Sequence, residues 1–294
     1  MKRILLIPKI RVQNANALSS PYTIGFPAMT AWLGGVHALE RKLKHGHPQL
    51  QFKSMAVICH EIDLQTYKGP GDYVHSIIGT GNPLDKSGKR PSFIEEARCH
   101  LHVSLVMECE GLGLIDYDEF TRQIEHECRG NMKLAGGDVL DLSVPSMLEI
   151  STESDFRKLM RQLMPGHCLI ERRDLMMNAM QEGQDAIDAL LDHLKIYHRC
   201  EQDDDGNVTW SSHRMEPGWI VPIATGFHGI TDLGQAQNQR DPETPHRFAE
   251  SVVTLGQFVM PYRMKDLDNM LWHYHADLEN NLYLCRQNKP VTEI

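Results

Sequence analysis

The chain has 294 residues, 41% of them hydrophobic and 23% charged, which is an ordinary globular composition with chain enough for a sizeable core in one or two domains. No run approaches the ~18 apolar residues of a membrane span, and the apolar run Ile4–Ile7 is too short for a signal-peptide core. Thirty basic against 39 acidic residues leave a net charge of −9, which excludes polyanion binding driven by overall charge; a nucleic-acid surface on this chain has to be local.

Arg3–Val12 reads as a first strand, with Pro8 implying an edge or a bulge because proline has no N–H for a ladder. Gln13–Pro21 reads as a polar connection. Pro27 suits the first turn of a helix, in which Met29, Trp32, Leu33, Val36, Leu39 and Leu43 recur at helical spacing to about Lys44. Gly34-Gly35 inside it costs roughly 1 kcal/mol per glycine against alanine, which points to close packing on a sheet. Phe52–Leu64 is a second strand, and a long glycine- and proline-rich loop follows over Lys68–Pro91. Cys99–Cys109 is a third strand with His100 and His102 on one face, and Tyr117–Arg129 a second helix capped by Asp116. Val139–Leu142 supplies a fourth strand. The order β-α-β, loop, β-α-β is that of a ferredoxin-like or RRM-like α+β sheet.

Beyond it, Ser154–Leu163 reads as a helix, Cys168–Arg172 as a short strand and Leu175–His198 as one long or broken helix. The acidic stretch Glu182–Asp192 within that helix faces solvent or another subunit. Asp203–Gly206 is a turn before Val208–Trp210, and Trp219–Ala224, Ser251–Met260 and Leu282–Cys285 read as strands, with a polar loop over Gly229–Pro245.

The common catalytic signatures are missing: there is no P-loop, no zincin helix and no nucleophile elbow. Gly79-Thr-Gly81 and Gly111-Leu-Gly113 lack the third glycine of a dinucleotide fingerprint. The run from Glu201 to Gly206 echoes a calcium loop, but Ser212 stands where the bidentate glutamate belongs. The seven cysteines are widely spaced with no C-x-x-C, which reads as reduced thiols in a cytoplasmic protein rather than a zinc site. His45/His47, His100/His102 and His273/His275 are His-x-His pairs without a third ligand at an obvious spacing, so no metal or other cofactor is expected. His100 and His102 are also the candidates for a general acid and base in RNA cleavage.

Two basic segments stand out by context. Arg11 heads Gln13, Asn14 and Asn16 at the end of the first strand, and Lys86, Lys89 and Arg90 end the glycine-rich loop. Arginine and lysine neutralise phosphates, while amides read base edges and sugar hydroxyls. The aromatic pairs of an RRM stacking platform are absent from strands one and three. Gly136-Gly137 follows the second helix, where glycine either stops the helix or lets main-chain N–H groups approach a phosphate. Under the second reading Gly137→Val would leave the fold largely intact.

Four stretches carry a family resemblance: Leu5–Pro27 (LLIPKIRVQNANALSSPYTIGFP), Gly79–Leu105 (GTGNPLDKSGKRPSFIEEARCHLHVSL), Leu134–Gly137 (LAGG) and Pro165–Arg173 (PGHCLIERR). With them the chain resembles, over essentially its whole length, the Csy-two subunit of type I-F CRISPR surveillance complexes, a Cas-five-like RAMP family. The resemblance implies an RRM-like RAMP palm with a glycine-rich loop and an inserted thumb. Residues 1–145 would form the palm with its loop insertion at about 68–91, residues 146–205 a mostly helical inserted region, and residues 206–294 a strand-rich part packing on the palm. It also implies a non-catalytic role: with the large Csy-one subunit as heterodimer partner, the chain would cap the 5′ handle of the guide RNA beside the Csy-three backbone, and would meet the Csy-four endonuclease only through the assembled complex. Contact with target DNA is left open. The RNA-binding candidates remain those read from the residues: Arg11, Gln13, Asn14, Asn16, Lys86, Lys89, Arg90, Gly136 and Gly137. The alternative is a guide-processing, metal-independent endoribonuclease using His100 or His102.

Overall fold

A computed structural model describes residues 1–79, 81–113 and 115–288. Thr80 of the Gly79–Leu105 stretch and residues 289–294 of the C-terminal part lie outside the described residues. The first strand, β1 (Lys2–Asn16), is longer than the sequence suggests and takes in Gln13, Asn14 and Asn16 of the expected connection. Its alternation is broken twice, with register shifts between Ile7 and Ile10 and between Val12 and Ala15. Pro8 occupies the first of these bulges, so the ladder does not need its missing N–H. The Pro8 carbonyl instead accepts from Ser143 N–H at 3.0 Å, and Lys9 beside it turns through φ +55°.

After the short pair β2 (Leu18–Ser20) and β3 (Thr23–Ile24) comes α1 (Met29–Leu43), with Pro27 just ahead of the N-cap Ala28 rather than in the first turn. Of the two helix glycines, Gly35 is the close-packed one: a Cβ there would stand 2.9 Å from Leu134 Cδ2, whereas Gly34 meets nothing within 4 Å. The strand β4 (Gln51–Leu64) follows, then β5 (Thr66–Tyr67), β6 (Ser76–Ile77) and a mostly exposed loop to β7 (Arg98–Glu110). Asp116 caps α2 (Tyr117–Asn131) by accepting from the N–H groups of Asp118 and Glu119. The helix ends before the glycines. β8 (Lys133–Leu134) and β9 (Gly137–Asp141) form a tight hairpin around Ala135 and Gly136, with φ of +49° and +79°, the backbone that a two-residue type I′ turn demands.

The remaining elements are β10 (Ser146–Ile150), α3 (Glu153–Gln162) with Thr152 and Asp155 in a reciprocal capping box, β11 (His167–Glu171), α4 (Arg173–Gln181) and α5 (Ala186–Leu194). The stretch Leu175–His198, read as one long or broken helix, is broken: Gly183, at φ +100°, lies between α4 and α5, and Tyr197 and His198 belong to a strand. Then come the hairpin β12 (Tyr197–Gln202) and β13 (Val208–His213), β14 (Trp219–Gly229), β15 (Ala249–Val259), β16 (Trp272–Asp277) and β17 (Leu282–Gln287). Asp203 organises the β12–β13 turn by accepting from Asp205 and Asn207, so the calcium-loop echo is an Asx turn.

The fold is α+β, with one large antiparallel sheet of 11 strands in the order β11-β15-β14-β17-β16-β4-β7-β1-β9-β8, and β10 also on β1. Its N-terminal part runs β9-β1-β7-β4, every neighbour antiparallel. One face of this part packs Leu5, Ile7, Ile10, Val12, Leu101, Val103 and Val57 against the apolar stripes of α1 and α2. The other face is covered at one end only: Ile4, Leu6, Ala56, Ile58 and Val106 meet Phe156, Leu159 and Met160 of α3. The C-terminal strands curl so that both β16 and β11 reach the same edge of β4, at Met55 and at Ile58–Cys59. Trp272, fully buried, ties this curl with an indole N–H to the Leu169 carbonyl at 2.9 Å.

Candidate nucleic-acid interface

Beyond the cover of α3, the second face of the N-terminal sheet is open. The bulges of β1 set what projects there. Ile10 and Val12 point into the core, so Arg11 and Gln13 point out, and the second bulge turns Asn14 outward as well, at φ +55°. Register places Arg11 opposite His102 of β7 and Asp141 of β9, and His102 in turn opposite Glu61 of β4. His100 pairs with Asp63 in the next row and its Nδ1 accepts from the Asn14 N–H at 3.1 Å.

Two cavities lie on this face. The first, about 240 Å³, is lined by Arg11, Gln13, Glu61, Asp63, His100, His102 and the apolar edge of Leu140. The second, about 440 Å³, is lined by Asn14, Gly136, Arg98, Gln65, Ile78, Glu96 and Asp138. Arg11, Gln13, Asn14 and Gly136 are therefore brought together. Asn16 adjoins them: its backbone N–H donates to Ala135 O at 2.8 Å, and its side chain holds both the N–H and the carbonyl of Leu18. Gly137 is buried, and a Cβ on it would collide with Gln13 O at 2.6 Å and Val12 Cγ1 at 2.7 Å. Gly137 thus serves the close approach of β9 to β1, and neither glycine stops the helix.

Lys86, Lys89 and Arg90 are exposed on the loop between β6 and β7. Asp85 shapes their turn, its carboxylate accepting from the N–H groups of Ser87 and Lys89 and from the Ser87 hydroxyl; these bonds, the Ser87 hydroxyl foremost, hold its carboxyl below the usual range. Arg90 lies over the Phe93 ring at 5.9 Å. The roots of this loop, Ile78 and Glu96, line the second cavity; the basic tip lines neither.

The charges on the face are unevenly satisfied. Asp141 is paired with Arg129 at 2.7 Å and Asp138 with Lys133, while Arg98 holds Glu96 at 2.7 Å. Arg11 and Glu61 form no hydrogen bond or ion pair through their side chains among the described residues. At the boundary with the covered end, His60 touches Lys9 Nζ at 3.0 Å, Ser104 Oγ at 2.7 Å and the Pro165 carbonyl. Burial, with Lys9, His102 and His167 adding to it, pushes His60 down to about 4, and burial likewise lowers His102. The sequence reading missed Glu61, Asp63 and His60. The alternation of Glu61, Ile62, Asp63 and Leu64 carried the signal for the first two, since polar residues at i and i+2 at a strand end mark an uncovered face.

No group of three His, Cys, Asp or Glu side chains among the described residues is spaced to hold a metal ion. The cysteines are all unpaired; six are buried, with burial pushing their thiols up to about 12, and Cys200 is exposed. No helix among the described residues is long and apolar enough to cross a membrane. The pair His273/His275 lies on β16, a strand the sequence reading did not find.

Comparison with known proteins agrees with the resemblance in the sequence. The family model described as CRISPR-associated protein (Cas_Csy2) matches residues 5–285. CRISPR-associated protein Csy2 of Pseudomonas aeruginosa (strain UCBPP-PA14) is 34% identical, the match covering 95% of this chain and 94% of the relative. A match of this extent at this identity places the chain in the Csy2 family of CRISPR-associated proteins.

Proposed function

We propose that the chain is a non-catalytic, guide-RNA-binding subunit of a type I-F surveillance complex, capping the 5′ handle through the open sheet face. The observation that carries this reading is the convergence of Arg11, Gln13, Asn14 and Gly136 on neighbouring cavities of one uncovered face, with no ion pair to the Arg11 side chain among the described residues. The passage β1-α1-β4-β7-α2-β9, with strand order β9-β1-β7-β4, supports a ferredoxin-like RAMP palm as the platform. The net charge of −9 fits a narrow RNA track on a subunit whose other faces meet protein: the large Csy-one subunit as heterodimer partner and the first Csy-three subunit of the backbone, with Csy-four reached only through the assembled complex.

Titration of guide RNA against the wild-type chain and Arg11→Glu over a range of salt tests this. Loss of one phosphate contact lowers the slope of log affinity against log salt by about 0.7 for a single strand. Unchanged affinity and slope would remove the face from the RNA path.

Metal-independent RNA cleavage is a second reading, favoured by the presence of His100 and His102 in the same cavity as Arg11. Against it, His100 Nδ1 is engaged with the Asn14 N–H, and burial beside Lys9 and Arg11 disfavours a protonated His102 as general acid. Site-specific cleavage of repeat RNA in EDTA by the wild-type chain, lost in His102→Ala, would establish the enzyme.

A further inference from the structure

One row across the open face has a donor, a ring and an acceptor in sequence. Arg11, His102 and Glu61 are successive cross-strand partners on β1, β7 and β4. Their side chains share one face, and residues two strands apart stand roughly 9.6 Å apart. Arg11 and Glu61 are exposed and their side chains form no hydrogen bond or ion pair among the described residues, while the His102 ring between them is half-buried and stands 5.3 Å from the His60 ring. Asp63, in the adjoining row, already accepts from Gln65 Nε2 at 3.1 Å, so Glu61 is the carboxylate left unoccupied.

A free carboxylate is out of place on a surface for phosphate alone, because it repels the backbone that Arg11 attracts. It does have a use against a base edge, where a carboxylate accepts two adjacent N–H groups. Histidine rings serve as stacking surfaces for unpaired bases. The cavity, about 240 Å³, falls below the ~300–1,000 Å³ of ordinary small-molecule pockets and suits one planar group.

We infer that this cavity is a guanine-reading subsite: one unstacked base lies on His102, Glu61 accepts from its N1–H and 2-amino N–H, and Arg11 donates to O6 and N7. The inference rests on the RNA-binding reading above and adds the identity of the base. Among the four bases guanine alone has two adjacent donors on the Watson–Crick edge and two acceptors beside them. Cytosine and adenine each set an acceptor nitrogen next to the amino group, and uracil sets carbonyls on both sides of its single N–H. Each of those would turn a lone pair toward Glu61.

The test uses the full chain and fluorescein-labelled eight-nucleotide oligouridine, unmodified or with one central guanine, inosine, adenine or cytosine, read by anisotropy. The guanine probe should bind about tenfold tighter than oligouridine, and inosine, lacking the 2-amino group, should lose most of that gain. Glu61→Gln should bring the guanine and uridine probes within about twofold while leaving oligouridine affinity equal or higher. Arg11→Glu should weaken every probe. Equal binding of guanine and uridine probes by the wild type, or a guanine preference that survives Glu61→Gln, overturns the subsite; if Arg11→Glu still weakens all probes, the RNA-binding face stands without it. Absence of binding to any probe, or indifference to Arg11→Glu, overturns both.

Discussion

Gly137 and the carbonyl of Gln13 occupy space that no side chain could share: a Cβ on Gly137 would lie 2.6 Å from Gln13 O and 2.8 Å from Ala15 N. The hairpin β8–β9 is drawn against β1 at its second bulge, where Asn14 turns out, and this approach leaves room for glycine alone. Gly137→Val should therefore lower the melting temperature by many degrees, contrary to the expectation from sequence that the fold would tolerate it. Gly136→Asn, at φ +79° with its nearest neighbour Asn16 Cβ at 3.9 Å, should melt within a few degrees of wild type, because asparagine tolerates the left-handed region. Equal melting of Gly137→Val and wild type by calorimetry would refute this account of the hairpin.

The basic loop makes a separable prediction. Lys89 and Arg90 are exposed and their turn is built by Asp85, so reversing both charges leaves the fold alone. If the loop tip lies on the guide, the double reversal Lys89→Glu, Arg90→Glu lowers the salt slope by about 1.4, twice the single-strand value for one contact. Reversing the exposed Asp188 of α5 to lysine should leave the slope unchanged. A slope indifferent to the loop variant would confine the RNA to the sheet face.

His60 sets a pH dependence. Its folded value of about 4 lies below the ordinary 6.5, so the unfolded chain takes up the proton first. Its contribution is fully present above pH 6.5 and is lost as the pH falls from there through 4. In His60→Gln the fall in melting temperature between these limits should be shallower than in wild type. Identical pH profiles would show that the contacts of His60 with Lys9, Ser104 and Pro165 do not discriminate its charge states.

The helix caps offer a local check. Thr152 accepts from Asp155 N–H at 3.2 Å while Asp155 reaches back to Thr152 N–H at 3.1 Å. Thr152→Ala should cost about 1 kcal/mol in denaturant unfolding. A loss below ~0.3 kcal/mol would mean that water replaces the cap at no cost.

Much of the scaffold was legible because its signals are local. Asp116 and the fourfold spacing of Phe120, Ile124 and Cys128 mark α2 within a residue or two. Pro8 announced an edge or a bulge, and a bulge is there. What failed was local pattern interrupted by tertiary geometry. Gln13, Asn14 and Asn16 look like a connection because the second bulge removes the alternation by which a strand is recognised. β16 was hidden because Trp272, His273, Tyr274 and His275 are all rings, of which Trp272 is buried, Tyr274 exposed and the two histidines in between. At the candidate site, Arg11, Gln13 and Asn14 were found from residue type alone, whereas Glu61 and Asp63 were not, because only the register of β4 against β7 puts them in the rows that cross to β1.

The central claim is that the guide's 5′ handle runs over the β1–β7 face. Its most direct measurement is a photocrosslinking map of the assembled ribonucleoprotein, with a reactive nucleotide at each guide position in turn. The account predicts adducts from 5′-handle positions on peptides containing Arg11–Asn14 and His100–His102. Adducts on this chain arising only from 3′ positions, or falling only on α4 and α5, would contradict it.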